Sequence, residues 1–213
     1  MKVGILGTGD VGRSIAKGFA GIGYDVMVGS RDANGVKAQA IAKDLGVKIG
    51  TFADAAKFGD IEVICTLGAG TENAITLAGP DNFAGKVVID VTNPLDFSKG
   101  MPPGLYTGHN DSGGEQVQRL LPKAHVVKAL NIVSNPDMVY PEFSDGKPDM
   151  FICGNDADAK REVTEILQKF GWDSIIDLGG IEISRYLEPL MIVWVLYGLK
   201  TGGWRHAFKM LKK

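Results

Sequence analysis

The hexapeptide Gly7-Thr8-Gly9-Asp10-Val11-Gly12 constrains this chain more than any other stretch. It follows Lys2-Val3-Gly4-Ile5-Leu6, an apolar run of strand length. It opens a stretch in which Val11, Ile15, Phe19 and Ile22 recur at steps of three or four, one face of a helix. Tyr24-Asp25-Val26-Met27-Val28 then reads as a second strand. Glycines at a strand-to-helix turn inside such a βαβ unit form a dinucleotide-binding fingerprint rather than a chance pattern. Gly7 permits the tight turn, Gly9 lets the backbone approach a pyrophosphate, and Gly12 lets helix and strand pack closely. The free N–H groups and positive dipole end of the helix then face the phosphates. Gly7, Thr8, Gly9, Asp10, Val11 and Gly12 are therefore all expected to bind a cofactor.

The residues that close the second strand choose between cofactors. A carboxylate about 20 residues past the glycines suits the ribose 2′-OH of NAD, and an arginine nearby suits the 2′-phosphate of NADP. The chain reads Gly29-Ser30-Arg31-Asp32. Ser30 offers a small hydroxyl where the acid would stand, and Arg31 offers a planar fork of donors that matches phosphate. NADP(H) is the expected cofactor. Three roles are open to Asp32: reaching a ribose, capping the helix that follows, or lying in solvent. Lys37 is a second candidate for the phosphate, with a solvated surface charge as its alternative.

A length of 213 residues with 45% hydrophobic content supports one sizeable core. We expect a single NADP-binding Rossmann-type domain over 1–213, with 1–131 as dinucleotide-binding core and 132–213 as C-terminal extension. Net charge is −2, with 23 basic and 25 acidic residues interspersed. No basic block argues for nucleic acid or an anionic membrane surface. Cys65 and Cys153 lie far apart in apolar runs, which is neither a disulfide framework nor a metal knuckle. With the first strand beginning at Lys2, no signal peptide is expected. The most apolar stretch, 190–197, is far shorter than the ~20 residues of a membrane span. A cytoplasmic protein is expected.

Beyond Arg31 the pattern predicts helices over 35–45, 51–57 and 72–78, alternating with strands over 47–49, 62–67 and 86–92. Thr51 with Asp54 has the form of a capping box, as does Ser112 with Glu115 at the head of a helix to about 121. Strands separated by helices of this size imply α/β architecture with a doubly wound, mostly parallel sheet. A long irregular loop runs over 95–111, where loops of that length are often functional. The sixth strand spans 126–130 and ends at Asn131. After a loop over 137–148, a strand (150–153), a helix (157–170) and a strand (174–177) form an α/β extension. A terminal helix from about 181 carries Leu187, Leu190, Met191, Trp194, Leu196, Tyr197, Trp204 and Phe208. Such apolar and aromatic surface suits core packing or a subunit interface, and a homodimer through this helix is expected.

The acid–base residues of a conventional dehydrogenase are missing. No Tyr-x-x-x-Lys occurs, and His109, His125 and His206 belong to no recognisable pair. His109 alone stands near the expected site, in the long loop, where a solvent-exposed histidine is its alternative reading. No His, Cys or carboxylate cluster has metal spacing, and no catalytic residue is assigned. Carbonyl reduction needs a proton donor beside the hydride donor. Transfer between a nicotinamide and another redox ring needs mainly close stacking, because the cofactors carry the chemistry. The second case fits better.

Several stretches together resemble the NADP oxidoreductases that depend on the deazaflavin coenzyme F-420, and the related reductase domain of the STEAP metalloreductases. They are residues 7–12 (GTGDVG), 28–31 (VGSR), 88–95 (VIDVTNPL), 127–131 (VKALN), 177–180 (DLGG) and the helix around 188–190 (EPL). The resemblance covers essentially the whole chain. It implies that Gly7 to Gly12 hold the pyrophosphate and that Ser30 and Arg31 hold the 2′-phosphate. It also implies that Thr66, Leu67, Gly68, Asn93 and Pro94 border the nicotinamide, with Asn131 beside the second ring, a deazaflavin or flavin. Two positions depart from the family pattern. Leu67-Gly68 stands where a Pro and an aromatic are usual, and Leu130-Asn131 where Phe-Asn is usual. The leading expectation is hydride transfer between NADP(H) and a deazaflavin or flavin. Its alternatives are a non-catalytic NADPH sensor docking a partner through the last helix, and an NADPH-dependent reductase of a small carbonyl or imine. For Asn93 and Asn131 the alternative role is to satisfy loop backbone.

Overall fold

The structure, a computed structural model, describes residues 1–211. In chain order its first half holds β1 (Lys2–Leu6), α1 (Asp10–Gly21), β2 (Asp25–Ser30), α2 (Val36–Leu45), β3 (Lys48–Thr51), α3 (Phe52–Phe58), β4 (Ile61–Ile64), α4 (Thr71–Ala78) and β5 (Val87–Asp90). A small hairpin, β6 (Leu95–Asp96) and β7 (Gly104–Leu105), follows. Then come α5 (Gly113–Leu120), β8 (His125–Lys128), β9 (Asp149–Gly154), α6 (Ala157–Lys169), β10 (Ser174–Asp177) and α7 (Ser184–Thr201).

Among these residues one sheet runs β10-β9-β8-β5-β4-β1-β2-β3. From β3 to β8 all neighbours are parallel; β9 is antiparallel to β8, and β10 is parallel to β9. The chain walks outward from β1 to β3, crosses back to β4, and walks the other way. That reversal leaves a crevice at the carboxyl ends of β1 and β4, the switch point where open α/β sheets bind ligands. The expected doubly wound, mostly parallel Rossmann-type sheet with its α/β extension is the fold observed.

Helices cover both faces, so the strands are apolar on both sides. Val3, Ile5, Val63 and Ile89 pack with Ile15 and Phe19 of α1 and with Val163 and Ile166 of α6. Leu6, Ile64 and Val88 face Phe52 of α3, Ile75 of α4, Val117 of α5 and Leu187 of α7. Phe19 meets Phe170 edge-on with ring centroids 5.0 Å apart. The capping box at α3 is formed as expected: Asp54 N donates to Thr51 Oγ1 (3.1 Å) and Thr51 N to Asp54 Oδ2 (2.9 Å).

Three expectations are corrected. The long loop contains the β6–β7 hairpin, pairing Leu95 with Leu105. The sixth strand stops at Lys128, and the buried Leu130 turns into the left-handed region with φ 59°. A bulky residue there costs about 1–3 kcal/mol, which the surrounding packing must hold. The last helix ends at Thr201, closed by Gly202 in the left-handed region. Trp204 and Phe208, expected within it, lie on a non-helical segment that returns over the fold. The Phe208 carbonyl accepts from Asp149 N (2.9 Å), and Trp194 Nε1 donates to the His206 carbonyl (2.8 Å). No helix among the described residues is long and apolar enough to cross a membrane.

Glu62 on β4 is fully buried, and neither carboxyl oxygen makes a hydrogen bond among the described residues. Lys86 Nζ stands 3.5 Å away. Burial pushes Glu62 up to about 8, with Lys86 acting in the opposite sense. The folded chain thus keeps a proton that the unfolded chain loses above the ordinary value of 4.5. Stability therefore falls as pH rises through that window and stays reduced above it. Glu62→Gln is expected to match the parent below the window. Above it the variant should gain on the order of a few kcal/mol, as measured by urea unfolding across the pH range.

Candidate active site

The glycine loop leaves β1 and enters α1 at the switch point. Gly7 has φ 131°, and a Cβ there would lie 2.6 Å from the Cys65 carbonyl oxygen. A Cβ on Gly12 would lie 2.1 Å from the Gly7 carbonyl oxygen, so only glycine lets α1 start this close to β1. At Gly9 a Cβ would meet nothing within 4 Å, and the loop is open on that side. Thr8 and Val11 are half-buried, while Gly9 and Asp10 are exposed. The first helical bond is Arg13 N to the Gly9 carbonyl (2.9 Å), and no side chain caps the helix. The N–H groups of Asp10, Val11 and Gly12 therefore lack intrahelical acceptors. Such an end suits a phosphate.

At the end of β2, Ser30 is half-buried and Arg31 exposed. Ser30 Oγ accepts from Asp32 N (3.2 Å), and Asp32 Oδ1 accepts from Asn34 N (2.9 Å). Asp32 does not cap α2, whose N-cap is Gly35 with no side-chain bond; it is exposed and braces the turn before the helix with one carboxylate oxygen. Lys37 lies exposed in the first turn of α2.

Beyond β4, Thr66 is half-buried, Leu67 is 81% exposed, and Gly68 begins a short 3-10 turn. A Cβ on Gly68 would lie 2.3 Å from the Asn93 carbonyl oxygen, so the β4 and β5 loops touch. A side chain at position 68 would break that contact. Asn93 Nδ2 donates to the Asn131 carbonyl (2.8 Å), and Asn131 Nδ2 donates to Asn93 Oδ1 (3.0 Å) and to the Leu187 carbonyl (3.1 Å). Asn131 is only 2% exposed, so its amide locks the strand ends together from beneath. Pro94 is buried beside the pair. His109, at φ 57°, is exposed and is not among the residues lining the cleft described next.

A cleft of ≈ 770 Å³ opens where the β4 and β5 loops meet, between α4 and α5 and against the β6–β7 hairpin. Gly68 and Thr92 form its inner wall, and Leu95, Phe97, Tyr106 and Val117 supply apolar surface.

Behind that wall sits a charged cluster. Lys128 Nζ, fully buried, lies 2.7 Å from Asp90 Oδ2 and 2.9 Å from Glu188 Oε1, and it donates to the Thr92 carbonyl (2.8 Å). Burial works against the ammonium, but the two carboxylates outweigh it and hold Lys128 above the ordinary lysine value. Glu188 also accepts from Gly113 N and Gly114 N, both at 2.9 Å, and so caps α5 from α7. Asp90 Oδ1 accepts from Thr92 N (2.9 Å) and Thr92 Oγ1 (2.7 Å). The ends of β5, β8, α5 and α7 are tied at one point. Cys65 and Cys153 are free, buried thiols; burial raises both, Cys153 to about 11, so neither is a reactive thiolate.

The family model described as NADP oxidoreductase, coenzyme F-420-dependent, matches residues 2–94. The chain is 31% identical over 209 residues to the F-420-dependent NADP reductase of Methanocaldococcus jannaschii, covering 90% of this chain and 91% of that protein. This chain belongs to the coenzyme F-420-dependent NADP oxidoreductases. A solved structure from Arthrobacter sp. FB24, assigned as an F-420-dependent NADP-reductase, is 40% identical and superposes with a TM-score of 0.95 over 100% of both chains. The metalloreductase STEAP3 of Rattus norvegicus is 30% identical over 189 residues, 89% of this chain; the chain spans 36% of that protein's length.

As a member of this family the chain is an NADP-dependent oxidoreductase that binds NADP(H). Asp90, Lys128 and Glu188 sit inside the stretches that carry the family resemblance, yet no sequence spacing brings their charges together. The available signal was an ionisable residue within an otherwise apolar strand, as in Val126-Val127-Lys128-Ala129. Lys128→Met would leave two carboxylates buried without their cation, an expected loss of about 3–5 kcal/mol. Lys123→Met, which breaks an exposed pair with Asp81, should cost less than about 1 kcal/mol. Denaturant unfolding of both variants measures the contrast.

Proposed function

We propose that the protein transfers hydride between NADP(H) and a deazaflavin or flavin ring seated in the cleft beside the β4 and β5 loops. In this reading Gly7 to Gly12 hold the pyrophosphate, Ser30 and Arg31 with Lys37 take the 2′-phosphate, and Thr66, Leu67, Gly68, Asn93 and Pro94 border the nicotinamide. Asn131 serves the site through Asn93, and no role falls to His109. The observation that carries the reading is the position of the cleft. Gly68 and Thr92, which line it, belong to the same loops that would border the nicotinamide, so a planar ring entering it would lie against the hydride donor. Exposed Tyr186, Val193, Leu196 and Tyr197 on α7 are proposed as the contact of a homodimer acting in the cytoplasm. Sedimentation of the parent and of a Val193→Glu variant tests that contact.

The cofactor assignment is tested by titration with NADPH and NADH. Arg31→Ala removes a charge-assisted phosphate contact and should weaken NADPH about tenfold to a hundredfold, leaving NADH within about twofold. Equal affinity of the parent for both nucleotides would overturn the assignment.

A further inference from the structure

We propose that the Tyr106 hydroxyl donates a hydrogen bond to the hydride-accepting ring in the cleft, at the polar edge of the ring where the transferred electron pair collects. The inference rests on the cleft being the acceptor site and adds to it a catalytic residue.

Tyr106 follows β7 directly. Its N–H donates to the Pro94 carbonyl (2.9 Å), so the hairpin stitches this residue to the loop that ends β5. The side chain lines the cleft, is 45% exposed, and its hydroxyl has no hydrogen-bond partner among the described residues. The other polar side chains of the wall are committed elsewhere. Thr92 donates to Asp90 (2.7 Å), and Thr71 shares a hydrogen bond with Thr66 (2.9 Å). Gln116 and Arg119 both turn onto Asp111, at 3.2 and 2.8 Å, and Arg119 holds that carboxyl at about 2. Asp96 accepts from Ser98 (2.8 Å). Glu72, as a carboxylate, only accepts. Tyr106 is the neutral donor left with its direction open.

Partial burial, then the nearby Glu188, hold the phenol above its ordinary value, with Lys128 acting the other way. The group is thus a protonated donor at neutral pH. When the nicotinamide C4–H bond breaks, its electron pair forms the new bond on the acceptor ring, C–H in a deazaflavin and N–H in a flavin. A ring pair is displaced onto the N–C=O edge, so NADPH is oxidised and the ring reduced. Water supplies the proton that neutralises this edge. Tyr106 keeps its own proton and stabilises the charge while it develops, which is where a fixed donor accelerates the step.

The test uses the full chain, anaerobic, with NADPH bound and either coenzyme F-420 or FMN as acceptor. Tyr106→Phe keeps the ring and the fold. It should lower kcat about tenfold to a hundredfold, with KM, NADPH affinity and melting temperature unchanged. A variant turning over at the parent rate, in a parent that reduces either ring, overturns the role of Tyr106 alone. A parent that binds NADPH but reduces neither ring overturns the acceptor reading and this inference with it. A fall in NADPH affinity or melting temperature matching the fall in rate would also overturn it, because the tyrosine would then be structural.

Discussion

The wall between the cofactor loops and the cleft depends on Lys128 keeping its charge without water. Desolvating an ammonium and two carboxylates costs several kcal/mol per ion, and their mutual attraction offsets this only when the remaining donors and acceptors are met. Here Lys128 finds three oxygens, and Glu188 finds two backbone N–H groups at the head of α5. The triad carries one surplus negative charge, and the positive end of the helix dipole answers it. The arrangement also explains a glycine pair. A Cβ on Gly114 would lie 2.3 Å from Ser184 Oγ, so α5 could not approach α7 closely enough to be capped by it.

From that point the architecture of the site follows. Asp90 holds Thr92, whose carbonyl Lys128 takes, and the chain passes at once into Asn93 and Pro94. Lys128 lies three residues before Asn131, and the left-handed turn at Leu130 brings the Asn131 amide under Asn93. Two strand ends are thereby fixed relative to each other while the glycine loop, on the far side of the switch point, stays open and uncapped. Rigid borders and an unsatisfied helix end are what a nucleotide-binding edge requires.

Local features were legible in the sequence, and features made by distant residues were not. The βαβ unit, the Thr51–Asp54 box and the Ser112 cap each lie within a few residues, so spacing alone reveals them. The Ser30-Arg31 pair was readable because its strand end was. The length of the loop over 95–111 marks it as a functional loop, but its hairpin is hidden by so much Pro and Gly. Histidine is the commonest acid–base side chain, so residue type alone points to His109 in this loop, and nothing local in the sequence distinguishes Tyr106. Asn93 and Asn131 stand 38 residues apart in the sequence, each open to a ligand or a backbone role, and only the fold makes them partners. Trp204 and Phe208 continued an apolar pattern, and Gly202 ended the helix before them.

The most direct test is a single turnover of NADPH carrying deuterium at both C4 positions of the nicotinamide with oxidised coenzyme F-420, followed by NMR of the reduced deazaflavin. Deuterium is expected on the carbon of the deazaflavin ring that accepts the hydride, undiluted by solvent protons. Oxidation of NADPH without label in the deazaflavin would contradict direct transfer, because the two rings would not then meet in the cleft.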